Sequence, residues 1–178
     1  MIKIFLSALF FTVCNISVAQ QLSVSDTDSK VGFTIKNIGL NVEGSLKDLK
    51  GKMQFDPKSL SSSGFDVTVE AATINTGNAK RDEHLKKSDF FDAAKYPTVR
   101  IATSQIVSKG RNKYKAIANL TIKNITKKIG FDFTATAITS GYVFTSSFTL
   151  NRRDFGVGGS SMTLGDIVTV NLEVVGKK

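Results

Sequence analysis

The chain has one cysteine, one histidine, two prolines and no tryptophan among its 178 residues, and each scarcity closes off a class of chemistry. Cys14 lies in an apolar N-terminal stretch; once that stretch is removed, neither a disulfide nor a catalytic thiol remains. A single histidine cannot assemble the usual zinc, haem or iron–sulfur ligand sets, so no metal site and no resident cofactor are expected. No apolar run reaches the roughly 20 residues of a spanning helix, so no transmembrane segment is expected. Basic residues are not interleaved with aromatic ones as a base-stacking platform requires, which argues against nucleic acid. No Gly-x-Ser-x-Gly elbow accompanies His84, and Gly156-Val157-Gly158-Gly159 is followed by no helical pattern, so neither a nucleophilic hydrolase nor a phosphate-cradling loop is signalled.

What is present begins with a leader. Lys3 supplies a positive start, Ile4 to Cys14 a short apolar region, and Ser17-Val18-Ala19 small residues before a cut. Residues 1–19 therefore read as a secretory signal peptide and 20–178 as one domain. A lipidated Cys14 is the lesser alternative, because Val13 stands where a small residue is needed. The expected location is the periplasm, with release into the medium as the alternative. The formal net charge is +9, spread along the chain, which suits a solvated surface with transient contact to an anionic membrane surface.

Most of the remaining sequence alternates apolar and polar residues, the period of half-buried strands. Val31, Phe33 and Ile35 alternate with Lys30, Thr34 and Lys36; Phe65, Val67 and Val69 with Asp66 and Thr68; Tyr114, Ala116, Ala118 and Leu120 with Lys113, Lys115 and Asn119. Ile129, Phe131 and Phe133, then Phe144 and Phe148, then Val168, Val170 and Leu172 continue it. About eight segments joined by turn signals such as Gly110-Arg111-Asn112 imply an all-β antiparallel meander, closed as a barrel in preference to two packed sheets. One helical insertion, around residues 79–94, interrupts it: Asn78 caps Ala79 to Lys87, Ser88 caps a further turn, and Tyr96-Pro97 returns to strand. Phe90 and Phe91 would anchor it or roof one barrel end. Asn151 to Gly165, with Gly156, Gly158, Gly159 and Gly165, reads as a mobile loop.

An eight-stranded barrel is either filled by its own side chains or left with room for one slender ligand. Thirteen phenylalanines favour filling, whereas Gly44, Gly51, Ala71, Ala116, Ala118, Ala135 and Ala137 favour a channel. The pattern alone leaves both open.

Several residue groups together resemble the YceI-like family of exported bacterial proteins. These are Ser29-x-Val31-x-Phe33-x-Ile35, Val42-x-Gly44 and Phe55-Asp56-Pro57; then Thr76-Gly77, Arg81-Asp82-x-His84-Leu85, Asp89-Phe90-Phe91 and Tyr96-Pro97. Leu120-Thr121-Ile122, Thr126-Lys127, Asn151-Arg152-x-Asp154-Phe155-Gly156 and Gly165-Asp166-x-Val168 complete the match. The resemblance implies a lipocalin-like eight-stranded barrel that holds a long isoprenoid-like lipid, such as an isoprenoid quinone or a prenyl diphosphate, for transport, storage or sequestration without catalysis. The side chains expected to line the apolar interior are Phe33, Ile35, Phe65, Val67, Val69 and Ile101, with Leu120, Phe131, Phe133, Phe144, Phe148 and Val170. Arg81, His84 and Arg152 are the head-group candidates of the matched motifs, the two arginines doubling as ion-pair anchors. Ala118 and Asn124 stand where the family often has glycine; Ala118 would narrow the channel, and Asn124 would tolerate a left-handed turn. The rival readings are an enzyme on such a lipid, with His84 as acid or base, and an interaction module with a filled core.

Overall fold

A computed structural model describes residues 20–178; the expected signal peptide, 1–19, lies outside the described residues. Strands β1 (Gln21–Asn37), β2 (Leu40–Gln54), β3 (Gly64–Asn75), β4 (Thr98–Gly110), β5 (Lys113–Ile122), β6 (Ile125–Ile138), β7 (Gly141–Asn151) and β8 (Leu164–Lys177) follow one another round a closed antiparallel barrel. β8 returns to β1 in a register that sets Phe33 opposite Val170 and Ile35 opposite Val168. The barrel expected from the alternation is therefore the fold, and neither terminal strand is left as an edge.

Tight turns set the direction of the meander. Ile38 and Gly39 both take positive φ, 51° and 76°, the backbone that matches the twist of a two-residue hairpin. Arg111 and Asn112 do the same between β4 and β5, at 46° and 61°. Between β5 and β6 the left-handed residue is Lys123, at 56°, and not Asn124 as its amide side chain suggested.

β1 starts well before the alternation becomes visible, because Asp26 to Ser29 are polar and the register shifts between Ser25 and Lys30. There the side chains complete the ladder: Asp26 Oδ1 accepts from Leu49 N–H at 2.7 Å, and Ser29 Oγ accepts from Val175 N–H at 2.9 Å. Two ladders are incomplete: β3 and β4 pair only from Asp66 opposite Ala102 to Glu70 opposite Thr98. β6 and β7 pair only from Phe133 opposite Ser146 to Ile138 opposite Gly141, so the upstream part of β6 makes no backbone pairing with the end of β7.

The insertion between β3 and β4 holds one helix, α1 (Ala79–Leu85), two residues shorter than the sequence suggested. Asn78 Oδ1 accepts from Arg81 N–H at 3.1 Å, as its capping role requires. The further turn expected at Ser88 is a series of turns, in which Phe91 N–H donates to Leu85 O and Phe90 N–H to Lys87 O.

The glycine-rich segment after β7 is a built structure and not the open loop expected. Arg152 to Phe155 form a 3-10 turn, Phe155 and Val157 are buried, and Arg152 is only 3% exposed. Its Nε donates to Gly165 O, Nη1 to Val157 O, and Nη2 to Gly159 O and Asp166 Oδ1. One guanidinium thus supplies the donors for carbonyls that a loop cannot satisfy by itself. Gly158 must stay side-chain-free: its φ is +68°, and a Cβ there would stand 2.7 Å from both Phe90 and Arg152.

Two outcomes are expected in equilibrium urea unfolding. Arg152→Met keeps the stem but strands these carbonyls and Asp166, and is expected to cost about 3 kcal/mol or more, with new protease cleavage in residues 156–163. On the outer wall Arg100 donates to Asp66 through two nitrogens, at 2.7 and 2.6 Å, which holds the Asp66 carboxyl below its ordinary value chiefly by hydrogen bonding. A lowered carboxyl value means stability that is present above about pH 4 and lost as pH falls through the depressed value. Both side chains are half-exposed, so Arg100→Gln should cost little stability near neutral pH, and that cost should shrink as pH falls through the depressed Asp66 value.

Candidate functional site

The barrel interior is divided along its length. At the end where β2 leaves and the start of β1 lies beside the end of β8, Phe55, Phe65, Tyr114, Phe133, Tyr142 and Phe144 pack as one aromatic cluster. Phe55 lies at its centre, 1% exposed, with edge-on contacts to Tyr114, Tyr142 and Phe144 at centroid separations of 5.3, 5.2 and 5.2 Å. Edge-to-face arrangements of this kind let ring hydrogens meet ring faces and leave no channel. Burial, and then the neighbouring Tyr142, raise the Tyr114 hydroxyl above its ordinary value.

Toward the α1 end the interior is open. The strand period of two points Val31, Phe33 and Ile35 of β1 into a void, together with Val67 and Val69 of β3, Val99 and Ile101 of β4, Leu120 and Ile122 of β5, Phe148 and Leu150 of β7, and Val168, Val170 and Leu172 of β8. The void measures about 1320 Å³, the open space of its mouth included. Its wall is almost wholly apolar. Leu85, Phe90, Phe91 and Val157 line it from the α1 end, where Phe90 and Phe91 pack against a small buried cluster of Leu120, Ile122, Phe155 and Val157.

Eight of the twelve interior residues read from the sequence therefore line the void: Phe33, Ile35, Val67, Val69, Ile101, Leu120, Phe148 and Val170. Phe65, Phe133 and Phe144 do not; they belong to the aromatic cluster that forms its floor. Phe131 does not either, and is stacked on Phe148 at 4.9 Å. Alternation identifies the inward face of a strand but not the height along the barrel, and these four lie below or behind the void. Ala118 is fully buried and lines no part of it, so it does not narrow the space. Gly44 adds no width: the Phe33 ring lies across it, 2.2 Å from where a Cβ would be.

The sequence reading passed over Val31, Val99, Ile122 and Leu172, although the same alternation contains them. Phe55, whose ring closes the floor, directly follows the last residue of β2 and continues the alternation of Leu49, Gly51 and Met53, but it was not named among the interior residues.

The three head-group candidates separate cleanly. His84 faces away from the void, 3.1 Å from Asp89 Oδ2 and edge-on to Phe90, and both members of the pair are more than half exposed. Arg152 lines the void, but its nitrogens are committed to the loop carbonyls and Asp166. Arg81 also lines it. Its Nε donates to Thr76 Oγ1 at 2.7 Å and its Nη2 to Thr76 O at 2.8 Å, while Asp82 accepts from Thr76 N–H at 2.9 Å and fixes the same residue. Nη1 of Arg81 has no partner among the described residues, so a half-satisfied cation stands at the edge of an apolar chamber. Among the described residues no three His, Cys, Asp or Glu side chains are grouped to hold a metal, and no helix is long and apolar enough to cross a membrane.

Known proteins share this architecture. The UPF0312 protein of Pseudomonas savastanoi pv. phaseolicola is 29% identical over 192 aligned positions covering all of both chains. The crystal structure of the Campylobacter jejuni YCEI protein superposes with a TM-score of 0.70 at 26% identity, over 100% of this chain and 99% of that one. Burkholderia cenocepacia BcnA matches in fold with a TM-score of 0.81 at 24% identity, covering 85% of this chain and 98% of that one. A polyisoprenoid binding domain from Saccharophagus degradans does so with 0.71 at 12%, over 89% and 98%. The model of the YceI-like domain matches residues 22–176, from the first turn of β1 to the end of β8, and the chain belongs to that family.

Proposed function

We propose that this chain is an exported, non-enzymatic binding protein that holds the tail of an isoprenoid-like lipid, an isoprenoid quinone or a prenyl diphosphate, inside the barrel for transport, storage or sequestration. The observation that carries the reading is an apolar void with a single incompletely bonded guanidinium, Arg81, at its edge. The tail would lie against Phe33, Val67, Ile101, Leu120 and Val170, and the head group would accept from Arg81. Family membership supports the same ligand class, as does the polyisoprenoid binding stated for the Saccharophagus degradans domain of the same fold. The positive leader and its small-residue cut site support export. His84, paired with Asp89 on the outside, has no route to a reacting atom in the void, which disfavours the enzymatic alternative.

Physical scale limits the ligand. Lining residues run along β1 from Val31 to Asn37, about 20 Å of strand and about 15 Å along a barrel axis at a tilt of about 40°. That depth takes a stretched tail of roughly a dozen carbons; a longer one bends back or displaces the floor rings. Burying a dozen methylene-sized groups gains about 10 kcal/mol before the cost of association.

Intact-protein mass spectrometry under non-denaturing conditions, with extraction of the bound material, tests the reading. One lipid mass per chain is expected, and Val67→Phe with Val170→Phe, which fill the void, should abolish it. Finding no lipid, and no binding of added prenyl lipids, overturns the reading. Arg81→Gln should weaken a prenyl diphosphate by about ten-fold while leaving the matching prenyl alcohol little changed, and His84→Gln should change neither. Phe144→Ala opens the floor beside Val174, its partner across the β7–β8 ladder; it is expected to cost about 3–5 kcal/mol of stability and to shift binding toward longer tails.

A further inference from the structure

The most exposed large apolar side chains are gathered at one end of the barrel, the end the void reaches. Ile38 and Leu40, on the β1–β2 hairpin tip, are 74% and 73% exposed, and Met162 in the β7–β8 loop is fully exposed. They form one patch: Ile38 N–H donates to Thr163 O at 2.8 Å, and Asn37 is opposite both Leu40 and Leu164. None of the three lines the void, so neither core packing nor ligand contact accounts for them. The opposite end of the barrel carries its rings inward instead, with Phe55 and Tyr114 buried.

Most acidic side chains around this end are paired with a cation, the exceptions among the described residues being Asp92 and Asp82, the latter bonded to Thr76. Glu83 pairs with Lys86, Asp89 with His84, Asp154 with Lys127, and Asp166 with Arg152 and Arg153. Lys36, Lys80 and Lys87 are exposed and have no anionic partner among the described residues. Lys36 lies against Gly165, next to the apolar patch, and Lys80 and Lys87 stand on and just after α1. Glu43, which also has no cationic partner, is three residues beyond Leu40 on the outer wall, opposite Thr34.

Apolar tips ringed by free lysines match the physics of a bilayer interface, in which side chains enter the acyl boundary and ammonium groups meet anionic head groups. We propose that this rim docks on an anionic lipid bilayer, with Ile38, Leu40 and Met162 inserted and Lys36, Lys80 and Lys87 against the head groups. Docked this way the chamber faces the bilayer, and a hydrocarbon tail passes between them without crossing water. The inference rests on the lipid-binding reading above.

Vesicle flotation tests it, using unloaded protein with vesicles of phosphatidylethanolamine and phosphatidylglycerol and with vesicles of phosphatidylcholine alone. The protein is expected to float with the anionic vesicles, to do so less with the zwitterionic ones, and to be released by high salt. The triple variant Ile38→Ser, Leu40→Ser, Met162→Ser should bind the anionic vesicles at least about ten-fold more weakly. Lys36→Gln, Lys80→Gln, Lys87→Gln should lose the preference for anionic lipid. Both variants should still bind a prenyl alcohol dispersed in detergent as the parent does, which shows that they are folded and separates this inference from the chamber's own. No flotation of the parent, or equal flotation of parent and triple variant, overturns the proposal. So does a concentration-dependent dimer that the triple variant abolishes in the absence of vesicle binding, which would assign the patch to a second copy of the chain.

Discussion

The pairing of β8 with β1 is the constraint on which the other features depend. Closure turns eight half-buried strands into one wall, so that every inward side chain faces another across a bore too narrow for bulk solvent. Along β1 the register that sets Phe33 opposite Val170 also sets it opposite Gly44 of β2. The ring can then lie flat on the glycine, and the space above it stays free. An open sheet would have to cover that surface with a second layer, and the chamber would not exist.

Closure alone does not decide how much of the bore is filled. Rings drawn from β3, β5, β6 and β7 meet Phe55 at one end, whereas aliphatic residues with one carbon branch, such as Val67, Val69, Val99 and Val168, dominate the other. Short valines cannot meet across the diameter, and long rings can. The void is thus a consequence of side-chain size sorted by height, and its polar edge follows from α1 standing over it with Arg81 tied to Thr76.

Much of this was legible in the sequence. The period of two gave the class and the inward faces, and the turn signal Gly110-Arg111-Asn112 falls where a hairpin occurs. Asp26 to Ser29 were not legible as strand, because a carboxylate and a hydroxyl there replace backbone partners. The separation of Phe65, Phe131, Phe133 and Phe144 from the chamber was invisible for a different reason: the height of a residue depends on the stagger between strands, which no single segment encodes. For Arg152 the motif offered a ligand contact, while the commonness of loop anchors favoured a structural role; the bonds to Val157, Gly159 and Gly165 make it the anchor.

The interrupted ladder between β6 and β7 gives the wall an unequal side. Above Phe133 and Ser146 those two strands share no ladder pairs; Ser146 Oγ donates to Asp132 O at 2.7 Å where they part, and beyond it Phe131 meets Phe148 face to face. Stacked rings slide at little energetic expense, whereas a hydrogen-bonded ladder resists shear at every rung. The wall therefore has two short seams, this one beside the chamber and the five-pair ladder of β3 with β4, and the girth of the barrel can change most readily along them.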